Sequence, residues 1–147
     1  MKQVHLVVGV LAIGLNAGVL VFGGWEWWRV RSDRQFWWLL RAAQLVVVME
    51  AALGGILVAL GHKVSSLHIL YGVLPVLVAV IAEALRASSA QMVLDARGLP
   101  SSEAVRELPE DEQQTLVATI MQREVGVMAL AALVIVVLLL RAAQTAG

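Results

Sequence analysis

The sequence predicts an all-α integral membrane protein, a four-transmembrane-helix antiparallel bundle with helices 3 and 4 extended into the cytoplasm. Three observations lead there. Apolar runs at about 4–23, 37–61, 66–86 and 124–142 approach or reach the length, about 20 residues, that a helix needs to cross a bilayer core about 30 Å thick. The chain is 60% hydrophobic with a mean hydropathy of +0.82, a composition that lipid accommodates and water does not. The basic residues are sorted by connection: Arg29, Arg31, Arg34 and Arg41 flank the first, and Arg86, Arg97, Arg106 and Arg123 flank the third. The other side carries only Lys2, Lys63 and Arg141. Lys/Arg excess marks the cytoplasmic side, so the expected location is the plasma (cell inner) membrane with both termini outside.

At 147 residues the chain is the size of a single membrane domain, 1–147. Its formal net charge is zero, which gives no field to steer nucleic acid. It has no cysteine, which excludes disulfides, iron–sulfur clusters and thiolate zinc sites.

The first span opens Met-Lys and stays apolar to Gly23, longer than the core of a cleaved signal, so it is expected to be retained. On a helical wheel His5, Gly9, Ala12 and Asn16 share one face, while Gly14 and Gly18, a GxxxG pair, lie on another. The first connection, Gly23 to Trp38, holds all five tryptophans among arginines and is expected to lie along the cytoplasmic interface as an anchor. An aromatic and basic segment can also bind single-stranded nucleic acid. Between two apolar spans the partner it predicts is the lipid bilayer, with no nucleic acid.

The second span sets Arg41, Gln44, Val48, Ala51, Gly55 and Ala59 on one face and Ala43, Glu50 and Gly54 on the opposite one. His62 to Ser66 makes a tight outer turn, with Ser65 or Ser66 as the cap of the third span. In that span His68, Gly72, Pro75, Ala79, Ala82 and Arg86 form a small and polar face. Leu70, Val73, Leu77, Val80 and Ile81 form a bulky face suited to lipid. No breaker interrupts the third helix before Gly98, a good C′ residue. A continuous helix to Arg97 would be about 48 Å long, about 18 Å beyond the bilayer core. Pro109-Glu110-Asp111-Glu112 then starts a helix, with proline in the first turn and acids at the positive dipole end. It can run unbroken into the fourth span. Residues 87–123 are thus expected to form a cytoplasmic helical hairpin with a short helix at its tip.

The candidate functional residues are the polar ones that the spans tolerate. Glu50, near the middle of the second span, is the costliest, and intramembrane acids are functional candidates by default. The structural expectation is a neutral carboxyl hydrogen-bonded to Asn16 or to a backbone carbonyl; the functional one is proton or cation translocation through Glu50. Arg41 and Glu83, at the cytoplasmic ends of adjacent spans, are expected to pair as ions, with Gln44 extending the pair. His5, His62 and His68 should all fall near the outer face, where two imidazoles could ligate haem b and three could ligate zinc or copper. Tyr71, one turn from His68, could bind a haem propionate or a quinone. No nucleophile triad, phosphate loop or paired carboxylates points to an enzyme. The leading expectation is therefore a structural or accessory subunit that binds copies of itself or a larger membrane complex through its small-residue faces. A haem b or quinone-binding electron carrier is the alternative.

Overall fold

The computed structural model of the protein describes residues 2–99 and 102–145. Among these the chain is helical, with no strand: α1 (Lys2–Arg29), α2 (Arg34–Ala59), α3 (Ser66–Ala87), α4 (Ser89–Ala96), α5 (Ser102–Arg106) and α6 (Glu110–Gln144). Four of these, α1, α2, α3 and α6, are long and apolar enough to cross a membrane.

The four long helices pack around a common core: Val19 of α1, Phe36, Leu40 and Ala43 of α2, Ala82 of α3, and Val125, Met128 and Ala132 of α6. A second cluster, Ala12, Val47, Ile135 and Leu139, continues that core along the helices. α6 packs against α1 and α3, and α2 packs against the same two helices from the other side. Glycines set the close approaches. A Cβ at Gly23 would lie 2.7 Å from the Phe36 ring and 3.0 Å from the Ala129 Cβ. A Cβ at Gly126 would lie 2.8 Å from the Trp27 ring. The outward faces are bulky and apolar, including Leu6, Val10, Leu45, Leu70, Val73, Val80 and Val137. The division expected in α3 is present: Pro75 and Ala82 are buried, while Leu70, Val73, Leu77, Val80 and Ile81 are exposed.

Two expectations are corrected. The tryptophan-rich first connection is mostly helix rather than loop: α1 runs to Arg29, α2 starts at Arg34, and only residues 30–33 turn the chain. The Glu26 side chain is buried and accepts the Asp33 amide at 2.8 Å, while the Trp37 indole donates to the Ser32 hydroxyl at 2.9 Å. Those bonds hold the turn, in which Val30 adopts a left-handed φ of 52°. The third helix also does not run uninterrupted to Arg97. It breaks at Ser88, between α3 and α4. The hydroxyls of Ser88 and Ser89 both donate to the Leu85 carbonyl, at 3.1 and 3.0 Å, and such back-bonding bends helices.

Helix ends follow local chemistry. α2 closes with His62 N–H on the Leu57 carbonyl and Gly61 N–H on the Val58 carbonyl, Gly61 taking φ 85° at C′. α4 closes the same way at Gly98, φ 66°, through Leu99 and Leu94. Ser65 caps α3 by accepting the His68 amide at 3.2 Å. α6 starts behind Pro109 with Glu110, Asp111 and Glu112 in its first turn and runs 35 residues, about 52 Å, without interruption. Pro100 and Ser101, where the tip of the hairpin is expected, lie outside the described residues; α5 begins at Ser102.

Candidate functional site

Side-chain polar groups gather at the two ends of the long helices. One end, the foot, is where α2 begins and α3 finishes. There Arg41 of α2 donates from Nη1 to Glu83 Oε1 of α3. Gln44 donates to the same oxygen at 2.8 Å, and Arg86 Nε donates to Oε2 at 2.9 Å. Arg41 also donates to the Gln44 amide oxygen at 2.6 Å, and the Arg86 guanidinium sits 5.4 Å above the Trp37 ring. Both carboxylate oxygens and both guanidinium groups are engaged. This network ties α2 to α3 and leaves none of its members with a buried polar atom lacking a partner.

The other end, the head, is where α1 and α3 begin and where α2 and α6 finish. Here His5 of α1 places Nδ1 3.1 Å from Glu50 Oε1 of α2. Two glycines make the space. A Cβ at Gly9 would lie 2.7 Å from Glu50 Oε1, and a Cβ at Gly54 would lie 3.3 Å from His5 Cε1. The His5 and His68 rings meet edge to face, their centroids 6.0 Å apart and their planes at 79°. His68 Nδ1 lies 2.9 Å from the Ala142 carbonyl of α6. Because a carbonyl oxygen only accepts, Nδ1 of His68 is the donor in this contact. Ser65 Oγ adds a bond to the Thr145 carbonyl at 3.0 Å, closing α3 onto the end of α6.

The head differs from the foot in one respect that matters for function. His5 Nδ1 and Glu50 Oε1 are at hydrogen-bond distance but not aligned as one, so His5 Nδ1 and Glu50 Oε2 are buried without a hydrogen-bond partner. Their side chains are only 20% and 12% exposed, which leaves little water to compensate. Buried polar atoms are nearly always satisfied, so two orphans on adjoining side chains ask for an explanation.

The remaining candidates separate. Asn16 is buried but donates to the Ala12 carbonyl of its own helix at 2.8 Å, so it does not serve Glu50; the expected Glu50–Asn16 contact is replaced by Glu50–His5. The reason is depth. His5, in the first turn of α1, lies level with Glu50, whereas Asn16 lies about 16 Å further along at 1.5 Å per residue. His62 places Nδ1 3.1 Å from the Leu57 carbonyl within the end of α2. Among the described residues no three of His, Asp and Glu are grouped to hold a metal ion, so the histidines meet as a pair, His5 and His68. Tyr71 is half-buried and makes no side-chain hydrogen bond among the described residues. Sequence reasoning did not single out Glu26, Gly23, Gly126 or Gln122, whose amide donates to the Trp27 carbonyl at 3.1 Å.

The GxxxG pair also divides. Gly18 packs on Leu39 of α2, where a Cβ would lie 3.6 Å from Cδ2. Gly14 faces open space, as do Gly24, Gly55 and Gly72. Gly18 and Gly24 belong to a shallow apolar groove along α1, lined also by Val21, Phe22, Trp25 and Trp28.

No family model, no curated protein and no solved structure matches this chain. Its function is therefore inferred from the arrangement of helices, polar ends and open glycines.

Proposed function

We propose that this is a multi-pass protein of the cell inner membrane that acts as an accessory subunit, assembling with copies of itself or a larger membrane complex through exposed helix faces. Its four spans run antiparallel, both termini lie outside, and α4, α5 and the first turns of α6 stand in the cytoplasm. The arginine excess of the first and third connections supports that orientation.

The observation that carries the reading is that Gly14, Gly55 and Gly72 point to open space on three different helices. Lipid gains little from a bare backbone, whereas a second helix gains close packing there. The α1 groove between Gly18 and Trp28 extends such a surface.

The test is direct because the chain has no cysteine of its own. Single-cysteine variants at Gly14, Gly55 and Gly72, in native membranes, are oxidised and run on non-reducing gels. Crosslinking at one of these faces, absent in a control at Val137 on the outer side of α6, is the expected result. A chain that stays monomeric in bilayers and crosslinks to nothing at any of the three positions would reject the proposal.

A further inference from the structure

We propose that the groove along α1 from Gly18 to Trp28 seats one acyl chain of an anionic phospholipid, whose phosphate is held by Arg29 at the end of the groove. This goes beyond assembly and does not depend on it.

The groove has the length and lining of a lipid chain. Gly18 and Gly24 contribute no side chain to it, and Val21, Phe22, Trp25 and Trp28 supply its apolar walls. Gly18 and Trp28 lie about 15 Å apart along the axis, at about 1.5 Å of rise per residue. That is the depth of one leaflet in a hydrocarbon core about 30 Å thick. The walls are braced. Phe22 meets Phe36 of α2 edge to face, with ring centroids 6.2 Å apart, and Trp25 meets Trp28 in the same way at 6.1 Å.

The end of the groove carries a placed cation. The Arg29 guanidinium lies 4.3 Å from the centroid of the Trp25 ring, which itself lines the groove. Stacking occupies the flat face of the guanidinium and leaves its in-plane N–H groups free, the fork that matches a phosphate. The two acids of this turn are already engaged. Asp33 pairs with Arg31 at 3.9 Å, and the buried Glu26 accepts the Asp33 amide. Arg29 therefore has no carboxylate partner among the described residues. The indole that donates a hydrogen bond here is Trp37, which leaves the N–H groups of Trp25 and Trp28 for the ester carbonyls of a lipid.

Charge selects the headgroup. Arginine accepts the phosphate of any phospholipid, but a choline or ethanolamine brings a second cation beside it. Arg29, Arg31 and Arg34 outnumber Glu26 and Asp33 at this turn, so a headgroup without a cation of its own is preferred. Basic residues next to a span attract anionic lipid in this way.

A second helix suits this stretch of α1 less well. Helices in lipid meet closely at small residues, whereas Val21 and Trp28 are 73% and 74% exposed and stand out from α1. A single methylene chain fits between such side chains, and a helix about 10 Å across is held off by them. A helix seated at Gly14 and an acyl chain seated below it can thus share the α1 face.

The full-length protein is reconstituted in nanodiscs of equal parts phosphatidylglycerol and phosphatidylcholine, released into mild detergent and weighed by native mass spectrometry. One phosphatidylglycerol per chain should be retained, in preference to phosphatidylcholine by about fivefold or more, the factor expected for one arginine at an anionic surface. Arg29→Gln should abolish the preference. Gly24→Leu, at a position where a Cβ meets open space, should fill the groove and lower retention of both lipids. Arg97→Gln and Gly72→Leu should do neither. In intact bilayers, phosphatidylglycerol brominated on its acyl chains should quench the tryptophans of the wild type more than phosphatidylcholine brominated at the same carbons, a readout that needs no variant to fold. The proposal is overturned if the wild type retains the two lipids equally and is quenched by them equally, or if Arg29→Gln and Gly24→Leu both behave as wild type. Efficient disulfide formation between chains at Val21→Cys would place a second copy in the groove and overturn it as well.

Discussion

The foot and the head of the helices use similar residue types to opposite effect. At the foot one carboxylate, Glu83, receives Arg41, Gln44 and Arg86, and every charged group has a partner. At the head one carboxylate, Glu50, faces one imidazole, and each keeps a buried atom unbonded. Charged groups are costly within a bilayer in both places. A closed network offsets that cost by tying helices together, whereas an incomplete one leaves it standing. The foot is therefore a closed network and the head an open one.

The same substitution at both ends gives the largest effect and the sharpest contrast. Methionine keeps the length of glutamate without its charge. Glu83→Met strands Arg41 and Arg86 and should destabilise the protein by about 2 kcal/mol, less than for a fully buried pair because Arg41 is about half exposed. Glu50→Met removes one orphaned atom and should leave stability within about 1 kcal/mol of wild type. Equilibrium unfolding in mixed micelles, followed by the five tryptophans, measures both. Equal losses at the two positions would erase the distinction between the ends.

Glycines extend the contrast with a smaller expected effect. Gly23→Ala would drive its Cβ into the Phe36 ring and the Ala129 Cβ, neither of which can swing away. A cost of about 1–3 kcal/mol is expected from overpacking. Gly9→Ala meets the far end of the Glu50 side chain at 2.7 Å. That carboxylate makes no aligned hydrogen bond and can move, so the cost should stay below about 1 kcal/mol. The same variant should displace Glu50 from His5. A Gly9→Ala variant as unstable as Gly23→Ala would mean that the head is as rigid as the foot.

Much of the frame was legible in the sequence, because the signals that mark it are local. Apolar run length marks the four long helices, Ser65 marks a cap, and Gly61 and Gly98 mark the ends of α2 and α4. Arg41 and Glu83 could be placed at the same end by counting residues from the turn between their helices. The partner of Glu50 could not be found that way. A helical wheel gives the face of a residue but not the axial offset of a neighbouring helix, and that offset brings His5 rather than Asn16 level with Glu50. Glu26 was hidden for a different reason. An acid among tryptophans and arginines reads as an interfacial charge, yet its carboxylate is buried on the amide of Asp33. The signal was its position seven residues before Asp33, the cap residue of the next helix, a span that a side chain crosses only when the turn folds back. Ser88 shows the limit of breaker rules: with no glycine or proline nearby, two adjacent hydroxyls on one carbonyl still interrupt the helix.

A further small effect concerns what holds the head together if Glu50 and His5 do not. Ser65 accepts the His68 amide and donates to the Thr145 carbonyl, so one hydroxyl caps α3 and fastens it to the end of α6. It also fixes the start of the helix that carries His68. Loss of a serine cap costs about 0.5–2 kcal/mol, and at this exposed position the lower part of that range, about 0.5–1 kcal/mol, is expected for Ser65→Ala. The loss should exceed that of Glu50→Met although Ser65 carries no charge. If instead Glu50→Met is the more damaging of the two, the Glu50–His5 contact is holding the helices together. The head would then be a second, poorly aligned version of the foot.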